Sequence, residues 1–122
     1  MLTNKLQTSS ETFNSGVLNV LSAVDGVINS NILTGVNYGD RTVGFSRFFS
    51  AVSAGTEVEL VIAVPFNNLI NQQNIVEIHD FMFNTTNFYE IVQIQQKKDT
   101  APPCLYISLK KTSINYVDNR GN

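Results

Sequence analysis

The stretch Asn87 to Lys111, NFYEIVQIQQKKDTAPPCLYISLKK, limits the possible folds more than any other part of the chain. Its two runs, Phe88 to Gln95 and Cys104 to Leu109, are rich in β-branched and aromatic residues and contain no Gly or Pro. Such runs suit a pleated, half-buried surface. Between them, Lys97, Lys98, Asp99 and Thr100 are read as too polar to bury. Pro102 and Pro103 cannot donate to a strand ladder, so they mark where the chain returns to the sheet. Two strands alone are marginal in water. The rest of the chain has to supply the sheet that covers them.

Taken in order, Met1 to Thr12 is polar and reads as an N-terminal arm, available to pair with a neighbour. Structure is expected from Phe13 onward. A strand is predicted over Gly16 to Val24, where Leu18 and Val20 alternate with polar residues. Asp25-Gly26 is a two-residue hairpin signal, and Val27 to Tyr38 is the returning strand. The pattern then changes. Phe45, Phe48, Phe49 and Val52 recur at helical spacing, predicting a short helix over 41–52 with a core-facing stripe. Asp40 or Thr42 is placed to cap its start, and Gly55 to end it. Glu57 to Val64 alternates as a strand, closed by Pro65. Asn67 to Gln73 reads as a turn. Asn74 to Phe83 is the next strand, and Asn84 to Asn87 is expected to close its hairpin onto Phe88. After Leu109, extended residues run from Ile114 to Val117, followed by a flexible tail over 118–122. Six or seven strands with turn signals every 8–12 residues predict a mainly β, single-domain chain over 1–122. The expected architecture is a small β-barrel of mostly antiparallel strands with one short α-helix and a long loop.

Chemistry is harder to find. The single cysteine, Cys104, has no sequence-linked base beyond the single histidine, His79, so no nucleophilic pair is assigned. One histidine and one cysteine do not make a metal set. The seven glycines are scattered, with no phosphate-cradling pattern. Glu57 and Glu59 share a strand face and read as solvated. No catalytic residue, metal or cofactor is therefore expected, and the chain is expected not to be an enzyme. Net charge is −2 with no block of like charge, which argues against a free-standing duplex-DNA binder. No apolar run approaches the roughly 20 residues of a membrane helix.

Four segments together carry a family likeness: FNSGVLNV (Phe13 to Val20), RTVGFSRFF (Arg41 to Phe49), AVP (Ala63 to Pro65) and YEIVQIQQKKDTAPPCLYISL (Tyr89 to Leu109). The chain resembles the head–tail joining proteins of long-tailed phages, also called head-completion or stopper proteins. The likeness runs from about Phe13 to Lys111. It departs between His79 and Phe88, a stretch longer and more aromatic than the short Gly-Lys turn usual in that family. The resemblance implies a structural virion protein of the neck, assembled in the host cytoplasm. Its partners would be further copies of itself in a hexameric or dodecameric ring, the portal and adaptor proteins, and a tail terminator or other tail proteins. Packaged double-stranded DNA would lie in the channel. The matching long connection is Tyr38 to Thr56, which makes Arg41 and Arg47 candidates for facing the channel or a neighbouring subunit. The alternatives are another connector ring, such as a tail terminator, and a monomeric β-barrel module that binds peptides through Phe81, Phe83, Phe88 and Tyr89.

Overall fold

The computed structural model describes residues 9–42, 58–112 and 114–121. The chain is mainly β, as expected. The strands are β1 (Ser9–Ser10), β2 (Gly16–Val24), β3 (Val27–Asp40), β4 (Leu60–Pro65), β5 (Ile75–Asp80), β6 (Thr85–Lys97), β7 (Thr100–Ala101), β8 (Cys104–Lys111) and β9 (Val117–Asp118). The main sheet has the order β2-β5-β6-β8-β4-β3-β9, and β2 also pairs with β3. Hydrogen bonding therefore closes on itself through six strands, all antiparallel to their neighbours. The closure is uneven, because β3 and β4 share only the pairs Gly39–Ala63 and Asp40–Ile62. The helix expected over 41–52 falls, from residue 43 onward, outside the described residues. So do Phe45, Arg47, Phe48, Phe49, Val52 and Gly55. Its proposed start is described: Asp40 Oδ1 accepts the Thr42 N–H at 2.8 Å.

The turn between β2 and β3 forms at Asp25-Gly26, with φ of 54° and 77°. Two consecutive positive φ values match the twist of a tight hairpin, and Gly adopts them without a Cβ penalty. Elsewhere the boundaries move. The turn between β5 and β6 is Phe81–Asn84, three residues earlier than the polar Asn84–Asn87 cluster suggests. Apolar content points to strand there, but Asp80 and the positive φ of Asn84, 52°, turn the chain first.

Inside the ring, Leu18, Val20, Ile62, Val76, Ile107 and Leu109 belong to one buried cluster. Each such side chain withdrawn from water contributes roughly 1.5–3 kcal/mol before entropy is counted. β8 is not half-buried, as its composition suggested: Cys104 to Leu109 are buried on both faces. The reason is an outer layer. Ala63, Cys104 and Tyr106 point away from the core and pack with Phe13. A second outer cluster, Leu21, Ile28 and Ile75, packs with Ala23, Phe88 and Tyr116. One end of the chain thus covers each outer patch.

Both ends are held by an arginine–carboxylate pair. At the N-terminal side, β1 pairs in parallel with β7, and Glu11 N donates to the Ala101 carbonyl at 3.2 Å. Structure therefore begins before Phe13, and residues 9–12 of the expected arm lie on their own chain. At the C-terminal side, β9 runs parallel to the start of β3. Arg120 then donates to both oxygens of Glu77, at 2.7 and 2.8 Å, and to Asp118. A flexible tail over 118–122 is not what forms through residue 120, because this guanidinium has three acceptor residues within reach, counting Asn31. Thr100 is also a correction. It is buried, with Oγ1 2.8 Å from the Pro102 carbonyl and 3.0 Å from that of Lys97. A hydroxyl with carbonyl partners can be buried at little cost.

Candidate functional site

The β5–β6 hairpin carries the most exposed large apolar side chains of the described residues. Phe81 is 85% exposed, Met82 84% and Phe83 72%. Turns usually carry polar residues or glycine, so three consecutive apolar side chains held in water call for a partner. The tip is built rather than loose. Asp80 Oδ1 accepts the backbone N–H of Met82 at 2.9 Å and of Phe83 at 3.3 Å. His79 Nδ1 lies 2.9 Å from Thr86 Oγ1 across the hairpin. The His79 ring also meets Phe81 edge-on, with centroids 4.6 Å apart and planes at 77°. His79 is thus a strand-end side chain that braces Phe81.

Below the tip lie two clefts that share Phe81 as a wall. One, about 380 Å³, is bounded by Tyr38, Leu60, Ile78, Asp80, Phe81 and Tyr89 among others. The other, about 260 Å³, is bounded by Val17, Leu18, Asn19, Glu77, His79, Phe81 and Thr86. Tyr38, Leu60 and Tyr89 also pack on the inner core, so the larger cleft opens at one end of the closed sheet. Burial raises the pKa of both phenols; Asp40 and Asp80 add to this at Tyr38, and Glu59, Tyr38 and Asp80 at Tyr89. Both rings are neutral hydroxyl-bearing surfaces at neutral pH.

The four aromatics suggested as a peptide groove do not assemble. Phe81 and Phe83 stand in water, but Phe88 packs in the outer cluster with Tyr116 while Tyr89 packs on the inner core. Adjacent residues of a strand face opposite ways, so Phe88 and Tyr89 cannot share a groove.

Arg41 has intramolecular partners. Its Nη2 donates to Glu11 Oε1 at 2.9 Å and to the Thr12 carbonyl at 2.7 Å. Glu11 Oε2 in turn accepts the Tyr106 hydroxyl at 2.9 Å. The Glu11 side chain is only 7% exposed, and Arg41 22%. Gly39 makes the approach possible, because a Cβ there would fall 2.5 Å from the Thr12 carbonyl oxygen. Sequence reading identified Arg41 but missed Glu11, whose role depends on a contact across 95 positions to Tyr106.

Cys104 is buried beneath this clasp, and burial raises its pKa. A protonated, enclosed thiol is a poor nucleophile. Glu59 accepts the backbone N–H of Lys111 at 2.9 Å, and Glu57 lies outside the described residues. Among the described residues, no group of three or more His, Cys, Asp or Glu side chains is arranged to hold a metal ion. Comparison with protein-family models, with curated proteins and with solved structures gave no match.

Proposed function

We propose that this chain is a structural subunit of the head–tail connector of a long-tailed phage, in the head-completion or stopper position. In this reading, identical copies form a ring below the portal and its adaptor. The ring helps retain packaged DNA and offers the tail a docking surface. The observation that carries the assembly role is the braced Phe81-Met82-Phe83 tip, an apolar contact surface that a self-contained monomer has no use for. The sequence likeness over Phe13 to Lys111 supplies the class. A closed antiparallel scaffold suits a ring subunit, which needs a rigid body with two different contact patches.

The candidate arginines divide. Arg41 acts through Glu11 and Thr12, tying the N-terminal segment to the body. Arg47 is the candidate for contact with channel DNA. Double substitution of Arg41 and Arg47 by Ala, with assembly and DNA retention measured separately, tests that assignment. Full DNA retention in assembled double variants refutes it. For the function itself, deletion of the coding sequence from the phage is the test. Filled heads that lack tails and leak DNA are expected, and normal tailed particles would reject the reading.

A tail-terminator ring shares this logic and is the nearest alternative. The exposed Phe81 beside its cleft favours a second reading, a monomeric peptide-binding module, although without Phe88 and Tyr89 in one groove.

A further inference from the structure

The larger cleft has a composition that selects its occupant. It is lined by two tyrosines, Tyr38 and Tyr89, together with Phe81 and His79. Asp80 also lines it. Asp40 and Glu59 are close enough to act electrostatically on the tyrosines. Among the described residues no Lys or Arg lines it, and His79 does. Lys111, paired with Tyr89 at the end of β8, has an exposed side chain.

From this arrangement we infer that the cleft is a binding site for an arginine side chain presented by an apolar segment of a partner protein. The negative faces of the tyrosine rings attract a cation, and a planar guanidinium stacks on them better than an ammonium does. Asp80 supplies the counter-charge. Its Oδ1 accepts the turn N–H groups of Met82 and Phe83, and the residue lines the cleft. The second half of the site is the tip. Phe81 belongs to both the cleft wall and the exposed triplet, so a segment that places its arginine between the tyrosines lays its neighbouring residues on Met82 and Phe83. A small free cation would leave that apolar surface in water. A nucleic-acid backbone is the wrong partner, since its phosphates would meet Asp80 and Asp40.

The site shares the Phe81–Phe83 tip with the connector reading, and peptide binding to the isolated chain is measured without ring assembly, so the two can fail separately. The test uses two probes, acetyl-Leu-Arg-Leu-amide and the same peptide with citrulline, which keeps the shape of arginine and removes its charge. Binding is followed through the ring signals of Tyr38 and Tyr89 by nuclear magnetic resonance. The arginine peptide is expected to give saturable shifts at both rings and to bind about tenfold tighter than the citrulline peptide. Asp80→Asn preserves the turn acceptor and removes the charge, and is expected to erase most of that difference. Equal affinities for the two peptides, or no shift at Tyr38 and Tyr89 with either, overturns the site on the unmodified protein alone. An unchanged ratio in folded Asp80→Asn overturns the role of Asp80.

Discussion

Tyr106 donates its hydroxyl to Glu11 across 95 positions of sequence, at 2.9 Å, and the same carboxylate takes the guanidinium of Arg41. This pair closes the N-terminal segment over the outer face of β8. Removing the carboxylate takes away the acceptor that Tyr106 and Arg41 share, while Arg41 keeps the Thr12 and Asp40 carbonyls. Glu11→Ala is expected to cost about 1.5–3 kcal/mol, the range for hydrogen bonds to a charged group, read as a lower urea midpoint. Tyr106→Phe should cost less than Glu11→Ala, because Arg41 keeps its partner. A reversed order would show that the carboxylate is not the hub.

The opposite end is set by Arg120, and its signature is pH. Hydrogen bonds from Arg120 lower the pKa of Glu77, and they hold Asp118 at about 2, below its ordinary 3.8. Both groups are depressed in the folded state, so the unfolded chain binds more protons in between. Their contribution is complete above the ordinary carboxylate range and disappears as pH falls toward about 2. Arg120→Ala should therefore melt lower than the parent at about pH 7, with the gap narrowing steadily on acidification to about pH 2. A gap independent of pH would mean that Arg120 acts through packing alone.

Gly26 tests the first hairpin. Among the described residues, only Ile114 Cδ1 comes within 4 Å of a Cβ built there, at 3.8 Å, so there is room for a methyl group. The penalty comes from the backbone, where φ is +77°. Gly26→Ala is expected to destabilise by about 1–2 kcal/mol in chemical unfolding. A neutral outcome would place the turn in another conformation.

The tip separates stability from contact. Phe81→Ser and Phe83→Ser remove surface that is already in water, so each should change folding stability by no more than about 0.5 kcal/mol. Loss of more than about 2 kcal/mol in either variant would show that the triplet belongs to the fold rather than to an interface.

These features differ in how far they could be read from the residues. The Asp25-Gly26 hairpin was legible because turn chemistry is local, and so were the alternating runs that became β2 and β4. The mainly β closed sheet followed from their number and spacing. The burial of both faces of Cys104–Leu109 was not legible, because it depends on Phe13 and Glu11, whose proximity the topology creates. Arg120 looked like part of a polar tail for the same reason; its acceptor Glu77 lies 43 positions away. The tip was misplaced by a different effect. Phe81, Met82 and Phe83 look like strand interior by hydrophobicity, and only the backbone capping by Asp80 shows that they are held outward. The stretch from His79 to Phe88 thus holds the most exposed large apolar side chains among the described residues.

In the proposed function, this chain joins a connector through its hairpin tip. Sedimentation of purified portal–adaptor complexes mixed with the protein, and with the Phe81→Ser, Phe83→Ser double variant, tests this most directly. The parent protein is expected to add to the complex as a whole ring, with mass rising by a multiple of the subunit, while the folded double variant stays free. A parent protein that remains at its own size beside intact portal–adaptor complexes would contradict the account.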